Sequence, residues 1–103
     1  MLGSITFDAK REMGCTSEDL LRWLPRALGD LYSQTSLTID NREYLLGTPP
    51  RIQMYGVTLT NRTIALLCIP VLQLEITFDA SFSAERVESI LGRFDLYTRR
   101  GGG

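Results

Sequence analysis

Ile5 and Phe7 alternate with Ser4, Thr6 and Asp8, the period of two that marks a half-buried strand. The polar stretch from Lys10 to Gly14 then reads as a loop. Thr16 and Ser17 are both good helix N-caps, and Thr16-x-x-Asp19 resembles a capping box with Asp in the acidic position. Glu18 and Asp19 fall in the first turn, where the helix dipole favours negative charge. Leu20, Leu24, Ala27, Leu28 and Leu31 form an apolar stripe at helical spacing. Pro25 cannot donate to the Leu21 carbonyl, which predicts a kink or a second turn starting near Pro25. Gly29 is a natural C-cap.

Strands dominate the middle of the chain. Ser36 to Ile39 reads as a strand, Asp40-Asn41 as a turn and Arg42 to Leu46 as the hairpin partner, with Gly47-Thr48-Pro49-Pro50 as a firm break. In the next strand, Ile52 to Leu59, the apolar parity switches between Met54 and Val57, which predicts a bulge near Gly56. Thr60-Asn61 looks like a tight hairpin turn. Further on, Leu72, Leu74, Ile76 and Phe78 alternate cleanly with Gln73, Glu75, Thr77 and Asp79. The half-strand before them does not: Ala65, Leu67, Ile69 and Val71 are apolar on the second face as well. Pro70 predicts a bulge or an edge position there.

Ser83 is the N-cap of a second helix, with Phe82 placed to staple onto Val87. Val87, Ile90, Leu91 and Phe94 make its buried stripe. Gly92 is expected to end this helix, leaving residues 93–98 as a short last strand; the alternative is a helix running to about Tyr97. The fold class expected is α+β. It is a two-layer sandwich, an antiparallel sheet of four to six strands with two helices on one face. A ferredoxin-like arrangement with an extra hairpin is its most specific version. Residues 1–98 are expected to form one domain and residues 99–103 a flexible tail.

Composition narrows the chemistry. The 103 residues include no histidine, which removes imidazole catalysis, imidazole metal ligands and a histidine pH switch. No catalytic constellation, cofactor motif or metal-ligand cluster stands out. A net charge of -1 gives no electrostatic case for nucleic acid or an anionic membrane surface, and the ten arginines are scattered. Cys15 and Cys68 fit no CxxC pattern and read as free thiols in a reducing compartment. The first eight residues have neither a basic nor an apolar signal region, and the longest apolar run, Ile64 to Leu72, is half of what a membrane helix needs, about 20 residues. The expectation is a cytoplasmic protein.

Two places are candidate sites. The loop from Lys10 to Ser17 brings Lys10, Arg11, Gly14, Cys15, Thr16 and Ser17 to a helix N-terminus, where backbone N–H groups favour an anion and would lower the pKa of Cys15. A Cys-x5-Arg phosphatase loop would need Arg at position 21, which is Leu21. The bland alternative is an ordinary capped helix with an incidental cysteine. The second candidate is the apolar set Ala65, Leu67, Ile69 and Val71. It would face water if helices cover only the other side of the sheet, and monomers rarely tolerate that. A homodimer interface, a ligand-cavity wall and cover by a loop or by Leu45-Leu46 are the alternatives, with the homodimer favoured. Finally, Arg99-Arg100-Gly101-Gly102-Gly103 resembles the glycine end of ubiquitin-like sulfur carriers and modifiers, which implies a terminal carboxylate open to adenylation. The β-grasp fold of that family opens on a hairpin, whereas here a helix follows the first strand, and a frayed tail is the competing explanation.

Overall fold

The computed structural model describes residues 6–98. Strand β1 (Phe7–Met13) leads to helix α1 (Ser17–Leu28) and a 3-10 turn over Gly29–Gln34. Four strands follow, β2 (Thr35–Ile39), β3 (Arg42–Leu46), β4 (Ile52–Ile64) and β5 (Leu67–Phe78), and helix α2 (Ala84–Thr98) comes last. The fold is α+β: one five-stranded sheet, ordered β1-β5-β4-β2-β3, with two helices. Among the described residues, no helix is long and apolar enough to cross a membrane.

The sheet is mixed, not purely antiparallel, because β2 and β4 run parallel. The cause lies between Gly47 and Arg51. These residues carry the chain over the end of β2, so that β4 lands on the far side of β2 from its hairpin partner β3. Gly47 N–H donates to the Thr35 carbonyl at 3.0 Å and Arg51 N–H to the Gln34 carbonyl at 2.8 Å. A Cβ on Gly47 would stand 2.7 Å from the Thr35 nitrogen, so the crossing needs glycine.

Several expectations shift. Residues 10–13 are strand, not loop: β1 stays in register with β5 through Met13↔Leu72. Gly56 carries no bulge; it continues the inner parity of Ile52 and Met54, with room for no more than Ile39 beside it, and leaves Val57 on the outer face. Thr60 and Asn61 are not a turn. They are the extra width of a bulge opposite Pro70, whose missing N–H cannot complete the ladder there. The reversal sits at Ala65-Leu66, with Ala65 at φ 54. Pro25 does not split α1, which runs one turn beyond it to the Gly29 cap. A ferredoxin-like arrangement needs a strand after the second helix, but residues 93–98 are helical.

Helix α2 passes through Gly92 because Val87, Ile90, Phe94 and Thr98 keep one buried face on either side of it. Tertiary burial outweighs the low helix propensity of a single glycine. Nothing lies within 4 Å of a Cβ built on Gly92. Gly92→Ala is therefore expected to stabilise the protein by about 0.5–1 kcal/mol, read as a higher urea midpoint with unchanged m.

The core lies between the helices and the inner face of the sheet. Leu20, Leu24 and Ala27 of α1 and Ile90 and Phe94 of α2 pack with Leu72, Leu74, Ile76 and Phe78 of β5. Ser83 caps α2 by accepting from Arg86 N–H at 3.1 Å, and Phe82 and Val87 beside it are buried as a hydrophobic staple. Arg51 anchors this end, reaching Gln34 and Ser81 while stacking 4.3 Å over the Phe82 ring.

The central hairpin outgrows this core. Beyond Leu72 and Gly56, β5 and β4 pair only with each other, so the hairpin projects as a two-stranded arm about 17 Å past the sheet. It stretches the molecule to 52 × 26 × 23 Å with a radius of gyration of 14.2 Å, against about 13 Å for a compact chain of this length. Asp40 braces the arm's base: its carboxylate accepts from Thr58 N–H at 2.9 Å and from Thr58 Oγ1–H at 2.7 Å. These bonds hold the Asp40 carboxyl below its usual pKa.

Candidate functional site: the outer sheet face and its arm

Strand register assigns the outer face row by row. Lys10, Glu75 and Tyr55 form one row and Glu12, Gln73 and Val57 the next. Val71 pairs with Leu59, Ile69 with Arg62 and Leu67 with Ile64 toward the tip. Neither helix covers this face. Tyr55 and Val57 are each 50% exposed, Ile64 52%, Leu67 64% and the turn residue Leu66 100%.

The four apolar residues singled out by the sequence separate here. Leu67 lies open on the arm, and Ala65 is exposed in the turn rather than on the sheet face. Ile69 is half-buried beside Gly14. Val71 is buried, and Gly14, just past the end of β1, lines the small hollow beside it with Glu12, Met13, Arg62 and Ile69. Glu12 from β1 and Arg62 from β4 meet across β5 at 2.8 Å, and their row positions place that ion pair over Val71. Lys10 and Glu75 flank a depression of about 180 Å³ lined also by Tyr55, Val57 and Gln73. Strand addition along the arm's edges is hindered by Pro70 on β5 and the bulge on β4, which leaves its broad face as the accessible surface.

The loop candidate does not converge on one point. Lys10 and Arg11 are neighbours on a strand and so point to opposite faces. Lys10 faces Glu75 at 3.9 Å. Arg11 holds Asp95 of α2 in a bidentate pair, Nε to Oδ1 at 2.8 Å and Nη2 to Oδ2 at 3.0 Å. Asp95 raises the Arg11 pKa through these bonds. Thr16 Oγ1 accepts from Asp19 N–H at 3.1 Å while Asp19 Oδ2 accepts from Thr16 N–H at 3.2 Å. This capping box, with Ser17 as the first helical residue, occupies the helix N-terminus with the protein's own carboxylate. Asp19 is held below the usual carboxylate range by those bonds and by Arg22.

Cys15 is the reverse of an activated thiol. It is 2% exposed, and burial pushes it up to about 11, with the Asp19 charge adding to the shift. Cys68 lies exposed on the arm. At pH 8, iodoacetamide is expected to alkylate Cys68 at least about a hundredfold faster than Cys15, since the thiolate is the reacting form. Peptide mass mapping over time checks this.

Arg11, Gly14 and Cys15 do border one cavity, of about 390 Å³, with Met13, Phe94, Asp95 and Thr98. Its size falls in the small-molecule range, about 300–1,000 Å³. The residues of α2 that close it are more than 80 positions from Arg11 in the chain, and no local pattern announced them. Among the described residues, no group of three or more His, Cys, Asp or Glu side chains could hold a metal ion. Compared with family models, curated proteins and solved structures, the chain matches none. The glycine-rich end lies outside the described residues.

Proposed function

We propose that this protein is a small self-associating module, a cytoplasmic homodimer that uses the outer sheet face and its arm as the interface. One observation carries this proposal. A hairpin longer than its sheet requires presents Ile64, Leu66 and Leu67 to water at its tip, with Tyr55 and Val57 exposed further back, beyond the Glu12–Arg62 pair. Each such side chain is worth about 1–2 kcal/mol on burial, a gain the monomer leaves unrealised. Sedimentation velocity over a range of concentrations is the test. A dimer that dissociates on dilution supports the proposal, and a monomer at every concentration ends it.

A second role rests on the cavity beside Arg11. The charges at its rim pair off, Arg11 with Asp95 and Glu12 with Arg62. An uncharged ligand therefore suits it better than the anion expected of the loop. Protection of Cys15 from slow alkylation by a bound small molecule would reveal it.

A further inference from the structure

The arginines are scattered along the chain, but the two helices gather four of them. Arg22 and Arg26 stand about one turn apart on α1, and Arg86 and Arg93 about two turns apart on α2. The helices run in opposite directions, so that Arg22 and Arg26 lie beside Leu96 and Tyr97, and Leu28 and Leu31 beside Arg86 and Arg93. Between them lie two hollows, of about 620 Å³ and about 220 Å³. Arg93 joins the two. It lines the smaller, donates Nε–H to the Arg26 carbonyl at 2.9 Å and stands 5.3 Å from the centre of the Tyr97 ring. Together the hollows make one groove along the helix pair.

This groove is cationic in a chain whose net charge is -1. Its lining holds the four arginines and a single carboxylate, Asp30. Arg22 pairs with Asp19 at 2.7 Å, an exposed contact of the weak kind that another carboxylate readily replaces. Among the described residues, no ion pair involves Arg26, Arg86 or Arg93. With both acids counted against the four arginines, two positive charges stay uncompensated. The larger hollow adds apolar chemistry at one end, where Trp23, Pro25, Leu96 and Tyr97 line it.

We infer that this groove docks an acidic peptide segment carrying one bulky apolar residue. The apolar residue fills the Trp23–Tyr97 hollow, and its acidic neighbours reach Arg26, Arg93 and Arg86. Trp, Tyr and Arg are the side chains that contribute most at protein interfaces. Arg86 and Tyr97 are about 16 Å apart along α2, the span of about five extended residues. A lone phosphate suits the groove less well, because the guanidinium groups are strung along it and do not converge on one point. Two excess charges on an acidic protein are also few for nucleic acid, whose binding draws on many phosphate contacts. The groove lies on the helix layer, so its occupation is independent of self-association through the outer sheet face.

Trp23 is the chain's one tryptophan, and its emission therefore reports the groove. The probes are synthetic peptides capped at both ends: Glu-Glu-Phe-Glu-Glu, the same with Gln for each Glu, and the same with Ala for Phe. Calorimetry runs alongside. The first peptide is expected to change Trp23 emission and saturate, with the other two at least about tenfold weaker. Arg26→Gln/Arg86→Gln is expected to weaken the first at least about tenfold, and so is raising salt from about 50 to 300 mM. Both side chains are exposed, so the double variant keeps its fold, which a urea melt reads. Neither heat nor a change in emission at about 1 mM of the acidic peptide overturns the inference. Equal binding of either substituted peptide does the same, as does an unchanged affinity in the double variant. Tighter binding of a short oligothymidylate than of the peptide assigns the groove to nucleic acid instead. Loss of self-association in the double variant assigns it to a second copy, and either result overturns the peptide.

Discussion

Leu67→Asp is expected to convert the proposed dimer to a monomer, weakening association at least about a hundredfold with little change in the monomer's own stability. Leu67 is mostly exposed within one chain, so the substitution removes little from the folded monomer, and exposed positions of this kind usually shift stability by less than about 0.5 kcal/mol. In the dimer the change counts twice. Each copy loses the burial of one leucine, about 1.5–2 kcal/mol, and sets a carboxylate against apolar surface. A loss of about 3–4 kcal/mol alone corresponds to a factor of a few hundred in Kd. Sedimentation velocity reads the association and a urea melt at high dilution reads the fold. A Leu67→Asp protein that dimerises like its parent would rule out the arm as the contact.

Gly47→Ala has the largest expected effect on the fold itself. The added Cβ would lie 2.7 Å from the Thr35 nitrogen, 2.8 Å from the Gln34 carbonyl carbon and 2.9 Å from the Thr35 carbonyl oxygen. All three are backbone atoms, so no side chain can swing aside. The chain must move away from β2 and loosen the Gly47–Thr35 bond and the Ser36 Oγ–Gly47 carbonyl bond. A cost of at least about 2–3 kcal/mol follows, a drop of roughly 10–15 °C in Tm. Gly92→Ala, the same chemical change, is expected to act in the opposite direction. The sign is set by what surrounds each glycine, backbone at one and open space at the other. A Gly47→Ala protein as stable as its parent would mean that the β3–β4 crossing is not the tight joint its hydrogen bonds describe.

The candidate surface was partly legible in the chain. Apolar residues on both parities from Ala65 to Val71 mark a strand with two apolar faces, and this remains the most informative stretch. What the pattern could not convey is that these residues extend beyond their neighbouring strands, because the length of an arm depends on where β1 and β2 stop. Nor could it show that Val71 is covered. The Glu12–Arg62 pair that covers it joins residues 50 apart through sheet register alone. The loop candidate failed to converge for a related reason. Residues 10–13 look polar and irregular in sequence, but strand pairing with β5 gives them a period of two, and that period sends Lys10 and Arg11 apart.

Local physics in the sequence determined the elements: the Thr16–Asp19 capping box, the α1 stripe, the Asp40-Asn41 turn, the clean alternation of Leu72 to Phe78 and the Ser83 cap. It also removed histidine chemistry outright. Tertiary structure decided what those elements become together. It carried α2 through Gly92, because a continuous buried face outweighs one residue's propensity, and it set β4 beside β2 in parallel, because Gly47 allows the chain to cross. It buried Cys15 and so raised its pKa instead of lowering it. Periodicity is a property of neighbours along the chain, whereas burial, register and charge pairing belong to neighbours in space, and those are fixed only when the whole sheet closes on its helices.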